Sequence, residues 1–328
     1  MRRLIFALLF SLPIVTVATG YAGDGDGGYA GAFYQVPVGA RPTAMGGAYL
    51  AVSDDGAAAL FNPAGIARLA RPLASSSYRA MKLGRTLGYA SAMFPVRGQA
   101  TMGASWLFAG SGKVEVRDAD GYLEGRDFYQ NTHQFSVVFA KLFERRFSLG
   151  VNISYLVSDM PEFDANSVGF DFGAMLYVNE FFGRERRDSL FAQDMRVGVV
   201  VRHISKKLRW VSDKYNLQYT TSESGYVQED KVPAEFGLGV SARFMQRKLL
   251  VAADILKNEK QDPLLHVGAE YYVRPEFALR SGLSDGRFVA GTGYLFHIGQ
   301  KQLAIDYAFS LEKVDEGSEH IFSFDLLF

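Results

Sequence analysis

The sequence predicts an all-β fold: an antiparallel transmembrane β-barrel of about 14 strands, with a short N-terminal helical hatch as its plug. Three observations carry that reading. From about residue 73 onward, apolar and polar residues alternate with period two. The blocks are about 10 to 12 residues long, which matches a tilted strand crossing a bilayer better than the five or six of a typical soluble strand. Their polar row is rich in glycine and unshielded charge, and their apolar rows begin or end in Tyr, Phe or Trp106, as an interfacial aromatic girdle does.

Composition agrees. The chain has 328 residues, 48% hydrophobic and 14% aromatic, with 34 Gly and only 10 Pro, a balance suited to strands and bends. That length is ample for a sizeable core. The 35 Lys+Arg are matched by 35 Asp+Glu, which argues against a nucleic-acid partner, since that needs a basic surface. With no cysteine, disulfides, thiolate zinc sites and a lipidated N-terminal cysteine are excluded.

Residues 1–22 read as a secretory signal peptide. Met1-Arg2-Arg3 supplies the positive start, Leu4 to Ala18 the apolar run, and Thr16-Val17-Ala18 or Gly20-Tyr21-Ala22 the small residues of a cleavage site. An anchoring helix is the alternative, but the run is short for a span and is broken by Pro13. Arg2-Arg3 lacks the surrounding twin-arginine motif, so unfolded export is expected.

Residues 23–72 have a different texture and form the expected hatch. Gly23–Gly31 is a flexible glycine-aspartate run. Gly39-Ala40-Arg41-Pro42-Thr43-Ala44-Met45-Gly46-Gly47-Ala48-Tyr49 follows, and then Ala51 to Gly65, which ends in Asn62-Pro63-Ala64-Gly65. Pro42 suits the first turn of a short helix, Ser53 or Asp54 can cap a second, and Asn62-Pro63 makes a turn before Ile66 and Leu69. The segment is too apolar to hang free and too short to fold alone, and its small residues permit close packing inside a lumen.

Residues 73–328 form the barrel. Its blocks are 73–80, 85–94, 98–108, 130–142, 146–158, 167–179, 195–204, 233–244, 248–256, 264–273, 276–284, 288–297, 301–311 and 319–328, an even count as in most single-chain bacterial barrels. In one block Val168, Phe170, Phe172 and Ala174 alternate with Gly169, Asp171 and Gly173; in another Leu303, Ile305, Tyr307 and Phe309 alternate with Ala304, Asp306 and Ala308. The polar row places Asp171, Arg196, Arg202, Glu235, Arg243, Asp254, Glu270, Arg280, Asp306 and Asp325 in the lumen. These charges are expected to pair across it, and secondarily to set pore polarity.

Connectors test the count. With the C-terminus in the periplasm, His297–Lys301, Val273–Glu276, Phe244–Lys248, Leu142–Phe147 and Phe94–Gly98 are tight turns on one side. The longer Ala109–Tyr129, Ser158–Asn166, Ser205–Val232 and Glu312–Ser318 lie on the other. Glu180–Asp194 breaks the parity; it reads as a short helix, a partner contact or a solvated loop. Lys206, Lys207 and Arg209 in the outer loop suggest contact with anionic lipopolysaccharide, against the plainer reading of a solvated loop. Phe328, on one face with Phe322 and Phe324, is the residue that barrel-assembly machinery is expected to read. An open edge in lipid would strand backbone groups, so the barrel must close.

The string from Gly39 to Gly65, ending in Asn62-Pro63-Ala64-Gly65 and followed by fourteen strands, resembles the FadL-like outer-membrane protein superfamily. Within it the chain is most similar to the shorter PorV/PorQ branch and its uncharacterised relatives. The resemblance marks Arg41, Met45, Gly46, Gly47, Asn62, Pro63 and Gly65 as the hatch motif. It implies a plugged outer-membrane barrel that binds or conducts small hydrophobic molecules, released sideways through a kinked third strand, where Gly103 and Gly110 flank Trp106. The alternative it implies is a PorV-like component of a protein-secretion or surface-assembly complex, with secretion-system proteins as partners. The chain lacks the extra length of the larger fatty-acid transporters.

No catalytic chemistry is read, and no cofactor or metal. Gly23, Gly25 and Gly28 match GxGxxG, but no strand precedes them and Asp24 and Asp26 would repel a phosphate. Asp24-Gly25-Asp26-Gly27 hints at a calcium loop, yet Gln35 stands where the bidentate glutamate belongs. The five histidines have no ligand spacing, and Ser136 near His133 is only a formal hydrolase pair.

Overall fold

The computed structural model describes residues 29–118, 120–160, 163–182, 190–212, 226–284, 286–311 and 317–328; the signal-peptide segment 1–22 lies outside them. The strands are β1 (Leu73–Ala80), β2 (Thr86–Val96), β3 (Ala100–Gly110), β4 (Val114–Arg117), β5 (Leu123–Phe128), β6 (Asn131–Phe143), β7 (Phe147–Met160), β8 (Phe163–Tyr177) and β9 (Gln193–Ile204). They continue with β10 (Lys207–Ser212), β11 (Tyr226–Lys231), β12 (Glu235–Phe244), β13 (Leu249–Asn258), β14 (Leu264–Arg274), β15 (Phe277–Ser284), β16 (Arg287–Ile298), β17 (Lys301–Leu311) and β18 (Ser318–Leu327).

Sixteen of these make one antiparallel sheet; β10 and β11 extend β9 and β12 beyond the wall, which leaves a closed fourteen-stranded barrel. The seam is the pairing of β1 with β18, Leu73 opposite Leu327 and Ala80 opposite His320. Closure satisfies every wall edge, as hydrocarbon requires. The period-two pattern places the side chains as alternation dictates. Phe172, Phe236, Leu238 and Phe322 face outward, while Asp171, Glu270 and Asp306 are buried inside. The outward face is therefore apolar over the full circumference, the face of a membrane-spanning wall.

Tight turns at one end use left-handed residues, among them Gln99, Glu144 and Arg145, and Met245 to Arg247. The opposite end carries the long connectors, and here the structure departs from expectation. The stretch Ser158–Asn166 is mostly strand, because β7 and β8 pair out to Met160 and Phe163. Ala109–Tyr129 holds a small separate hairpin of β4 and β5. Glu180–Asp194 begins with a 3-10 turn, Val178–Phe181, and its residues 183–189 lie outside the described set.

Residues 38 to 69 run through the lumen and contribute to five of the six interior clusters. Met45, Tyr49, Leu50 and Phe61 pack on Val200, Leu250 and Ala252 of the wall. Ala58, Ala59 and Ile66 pack on Leu73, Met93, Val138 and Ala140. The inner row of the wall is thus not uniformly small or charged: where the plug presents apolar atoms, the wall answers with apolar residues in direct contact.

Candidate functional site: the lumen and its plug

The plug begins with a short helix, Ala40–Ala44, containing Pro42. It ends on two left-handed glycines: Gly46 N–H donates to Thr43 O at 2.9 Å and Gly47 N–H to Pro42 O at 2.9 Å, so the orphan carbonyls of the helix are satisfied locally. A second helix spans Ala58–Phe61. Neither Ser53 nor Asp54 caps it; the carboxylate that accepts near its start is Asp55, from Ala57 N–H at 3.0 Å. Asn62 then accepts from Ala64 N–H at 3.1 Å and opens the 3-10 turn Pro63–Arg68.

The motif residues are brought together as seats on the wall. A Cβ on Gly268 would lie 2.2 Å from Met45 O, and one on Gly282 2.4 Å from Gly46 N. Gly150 and Gly173 give way in the same manner to Ala64 and Asn62, and Gly65 lies against Ser53 O. At Gly150, Gly268 and Gly282 a luminal glycine is therefore where plug backbone touches wall backbone. Asn62 Nδ2 donates to Leu50 O at 2.9 Å and to Ala174 O at 3.2 Å, which ties two parts of the plug to β8.

Charges lock this packing. Arg41 Nε and Nη2 donate to Glu270 at 2.8 and 3.1 Å, and Nη1 reaches Asp54 at 2.7 Å and Tyr49 Oη at 2.8 Å. Arg280 donates to Glu270 at 2.7 Å and to Asp306 at 2.5 Å. Arg196 bonds Val52 O at 3.0 Å and Asp54 at 3.3 Å. Arg202 pairs with Glu235 and donates to Leu60 O at 2.7 Å. Arg243 lies 3.5 Å from Asp194. Asp171 accepts from Asn152 Nδ2 at 2.9 Å and from His203 N–H at 2.8 Å.

From sequence these charges are expected to pair across the lumen, and the structure does not pair them so. Arg202 and Glu235 sit opposite each other on adjacent strands, as do Glu270 and Arg280; Arg243 with Asp194 and Arg280 with Asp306 also join wall to wall, while Arg41 and Arg196 tie the plug to the wall. The lumen is filled, so there is no gap to bridge. The two best-formed cavities are about 20 and about 10 Å³, room for roughly one water each. Asp325 lines the larger with Asp55, Ser75, Tyr89 and Asp306.

The third strand is not kinked. β3 pairs without a register shift along all of β2 and β6, and Gly103 faces inward, where its missing Cβ clears Met93 Sδ. Register shifts fall instead on β8 with β9, β9 with β12, and β14 with β15. Ser136 and His133 lie on opposite faces of β6: Ser136 is buried inside, whereas His133 stacks on Trp106 at the outer surface.

Three features carried no readable signal. Asp254 accepts from Tyr49 N–H at 2.5 Å and Leu50 N–H at 2.7 Å; it was visible only as one more polar-row residue. Lys206, assigned from sequence to a surface loop, is 1% exposed and points into the lumen, which leaves Lys207 and Arg209 as the outward cations of that segment. And residues 30–36 occupy the long-loop end of the lumen. Phe33, Tyr34 and Val36 pack there against Leu87, Tyr89 and Leu107, and Phe33 and Tyr34 also against Leu156 and Leu208. That end is an apolar chamber occupied by the chain itself.

No family profile and no curated protein matches the sequence. Solved structures do match the fold. The toluene transporter TbuX of Ralstonia pickettii superposes with a TM-score of 0.60 at 12% identity, covering 90% of this chain and 98% of that one. The toluene transporter TodX of Pseudomonas putida gives 0.58 at 11%, with 88% and 96% covered. A FadL homologue of Pseudomonas aeruginosa gives 0.58 at 13%, with 89% and 98% covered. At such identities the likeness is one of fold.

Proposed function

We propose that this chain is an outer-membrane barrel that binds or conducts small hydrophobic molecules, and that its resting state is closed. The observation that carries the reading is the apolar chamber at the long-loop end, walled by Leu87, Leu107, Leu156 and Leu208 and filled by Phe33, Tyr34 and Val36. Within residues 31–36, the backbone hydrogen bonds outside regular elements are local, Tyr34 N–H to Gly31 O and Val36 N–H to Phe33 O. Their side chains hold them to the wall, while the buried ion pairs that anchor the plug begin at Arg41. The segment can therefore leave without dismantling the plug. Similarity of fold to two toluene transporters supports a hydrophobic cargo.

On this reading residues 1–22 are removed on export, barrel-assembly machinery inserts the chain, and lipopolysaccharide surrounds its long-loop end. No structural observation favours the secretion-scaffold alternative.

Uptake of radiolabelled toluene by cells carrying the chain, beside cells carrying a variant lacking residues 29–36, tests the proposal. Saturable uptake that rises in the variant is expected. Outer-membrane insertion of both proteins with uptake no faster than in empty cells would overturn it.

A further inference from the structure

Tyr34 occupies the chamber in the manner of a bound molecule. Its hydroxyl donates to Gln134 Oε1 and accepts from Lys206 Nζ at 3.0 Å, while Lys206 also donates to Gln134 at 2.9 Å. Its ring lies 4.5 Å from that of His203, and Lys206 Nζ stands 4.5 Å from the ring centroid. Gln134 and Lys206 are 2% and 1% exposed, so these polar groups serve the chamber rather than the solvent.

The wall is shaped to bring Lys206 there. His203 and Ser205 adopt left-handed φ of 61° and 59° and interrupt the strand between β9 and β10, while Lys206 keeps the inward row of Val200 and Arg202. The aliphatic stem then lies over Gly169, where a Cβ would stand 2.2 Å from Lys206 Cε. Burying an ammonium for a lone phenol is costly. Burial lowers the Lys206 pKa to about 8, with Asp171 partly offsetting the fall, so near neutrality the group remains largely a cation and a donor. His203 Nδ1 is buried with no hydrogen-bond partner among the described residues.

Taking the reading of a hydrophobic-molecule site as its basis, we infer that the chamber selects a phenol: one aromatic ring carrying one hydroxyl, for which Tyr34 is the tethered stand-in. Lys206 and Gln134 read the hydroxyl, His203 stacks on the ring, and Leu156 and Leu208 exclude water from it. A plain hydrocarbon fits the same apolar walls but gives the Lys206 ammonium no second acceptor and Gln134 Oε1 no second donor, and that loss creates the discrimination. Entry of the phenol displaces the Tyr34 segment.

The full chain in detergent micelles, read against empty micelles, should bind 4-methylphenol at least about tenfold more tightly than toluene, as a charge-assisted hydrogen bond requires. The two ligands differ only in the hydroxyl. Lys206→Met should abolish the preference while toluene still binds, and Gln134→Leu should weaken it if Lys206→Met does not fold. Because the chain has no cysteine, Ala30→Cys supplies a single thiol, and 4-methylphenol should accelerate its maleimide labelling severalfold. Equal affinity for the two ligands would refute selection by the hydroxyl and leave the hydrophobic-site reading standing. Binding of 4-methylphenol without faster labelling would place it outside the chamber and refute the inference. Binding of neither by the folded protein would remove both the inference and the reading beneath it.

Discussion

Arg41 of the plug grips Glu270 of the wall at two points, Nε to Oε2 at 2.8 Å and Nη2 to Oε1 at 3.1 Å, across 229 positions of sequence. Glu270 is fully buried and its remaining partner is Arg280. Arg41 in turn carries Asp54, so one guanidinium ties the acidic turn of the plug to β14. Removing it leaves a buried carboxylate undercompensated, a loss of about 3 kcal/mol or more. Arg41→Ala should lower the thermal midpoint and open residues 38–66 to protease while the strand ladder survives. Arg41→Lys should not restore the wild type, because an ammonium cannot donate along two parallel directions. A protease-resistant plug in Arg41→Ala would refute this.

Backbone contact between plug and wall makes a second expectation. Gly268→Ala puts a methyl 2.2 Å from Met45 O, a backbone atom that cannot rotate away. Destabilisation of about 1–3 kcal/mol, with a loosened plug, should follow. Gly88→Ala is the control: its Cβ would meet only the Phe108 side chain, at 3.8 Å, and its effect should stay within about 0.5 kcal/mol. Equal melting shifts for the two would discount the seat.

How much of this was legible follows from what period two encodes. It fixes which face each wall residue takes, so Asp171, Glu270 and Asp306 were placed inside and Phe172 outside from sequence alone, and each of the fourteen wall strands lies within a few residues of its expected block, whereas β4, β5, β10 and β11 fall in stretches read as loops. It says nothing of what fills the lumen. The expectation that charges pair across the lumen failed because Arg41, Tyr49 and Asp54 of the hatch stand between the walls and take part in the pairing. Nor does it register where a strand ends: Lys206 shares the inward row of Val200 and Arg202, but the block closes at residue 204 and the next residues read as a surface loop. The glycines at 268 and 282 looked like generic small residues until their plug partners were known.

The C-terminus separates assembly from stability. Phe322, Phe324 and Phe328 all face outward, with exposures of 46%, 43% and 44%, and Phe328 N–H donates to Pro72 O at 3.1 Å beside the seam. An outward ring at the chain end contributes little to a folded wall. Phe328→Ala should thus reduce the amount of barrel inserted in cells several-fold, while the protein refolded in detergent melts near the wild type. Equal loss in both settings would mean that the ring is structural.

Acid should loosen the plug through Asp54. Burial alone would raise its pKa, but Arg41 at 2.7 Å and Arg196 at 3.3 Å outweigh that and hold it at about 2, against an ordinary 3.8. The native state therefore binds fewer protons than the unfolded chain between those values. Its contribution to stability is complete above about pH 4 and is lost as pH falls towards about 2. Asp55, the next residue on the same turn, moves the opposite way: burial raises it despite Arg41, so it retains its proton to higher pH and opposes the trend. Thermal midpoints of the purified barrel should fall between pH 4 and 2. Asp54→Asn should lie lower at neutral pH and flatten that fall, because neither Arg41 nor Arg196 then faces a titrating partner at that position. A variant that keeps the wild-type slope would assign the acid sensitivity to another carboxylate.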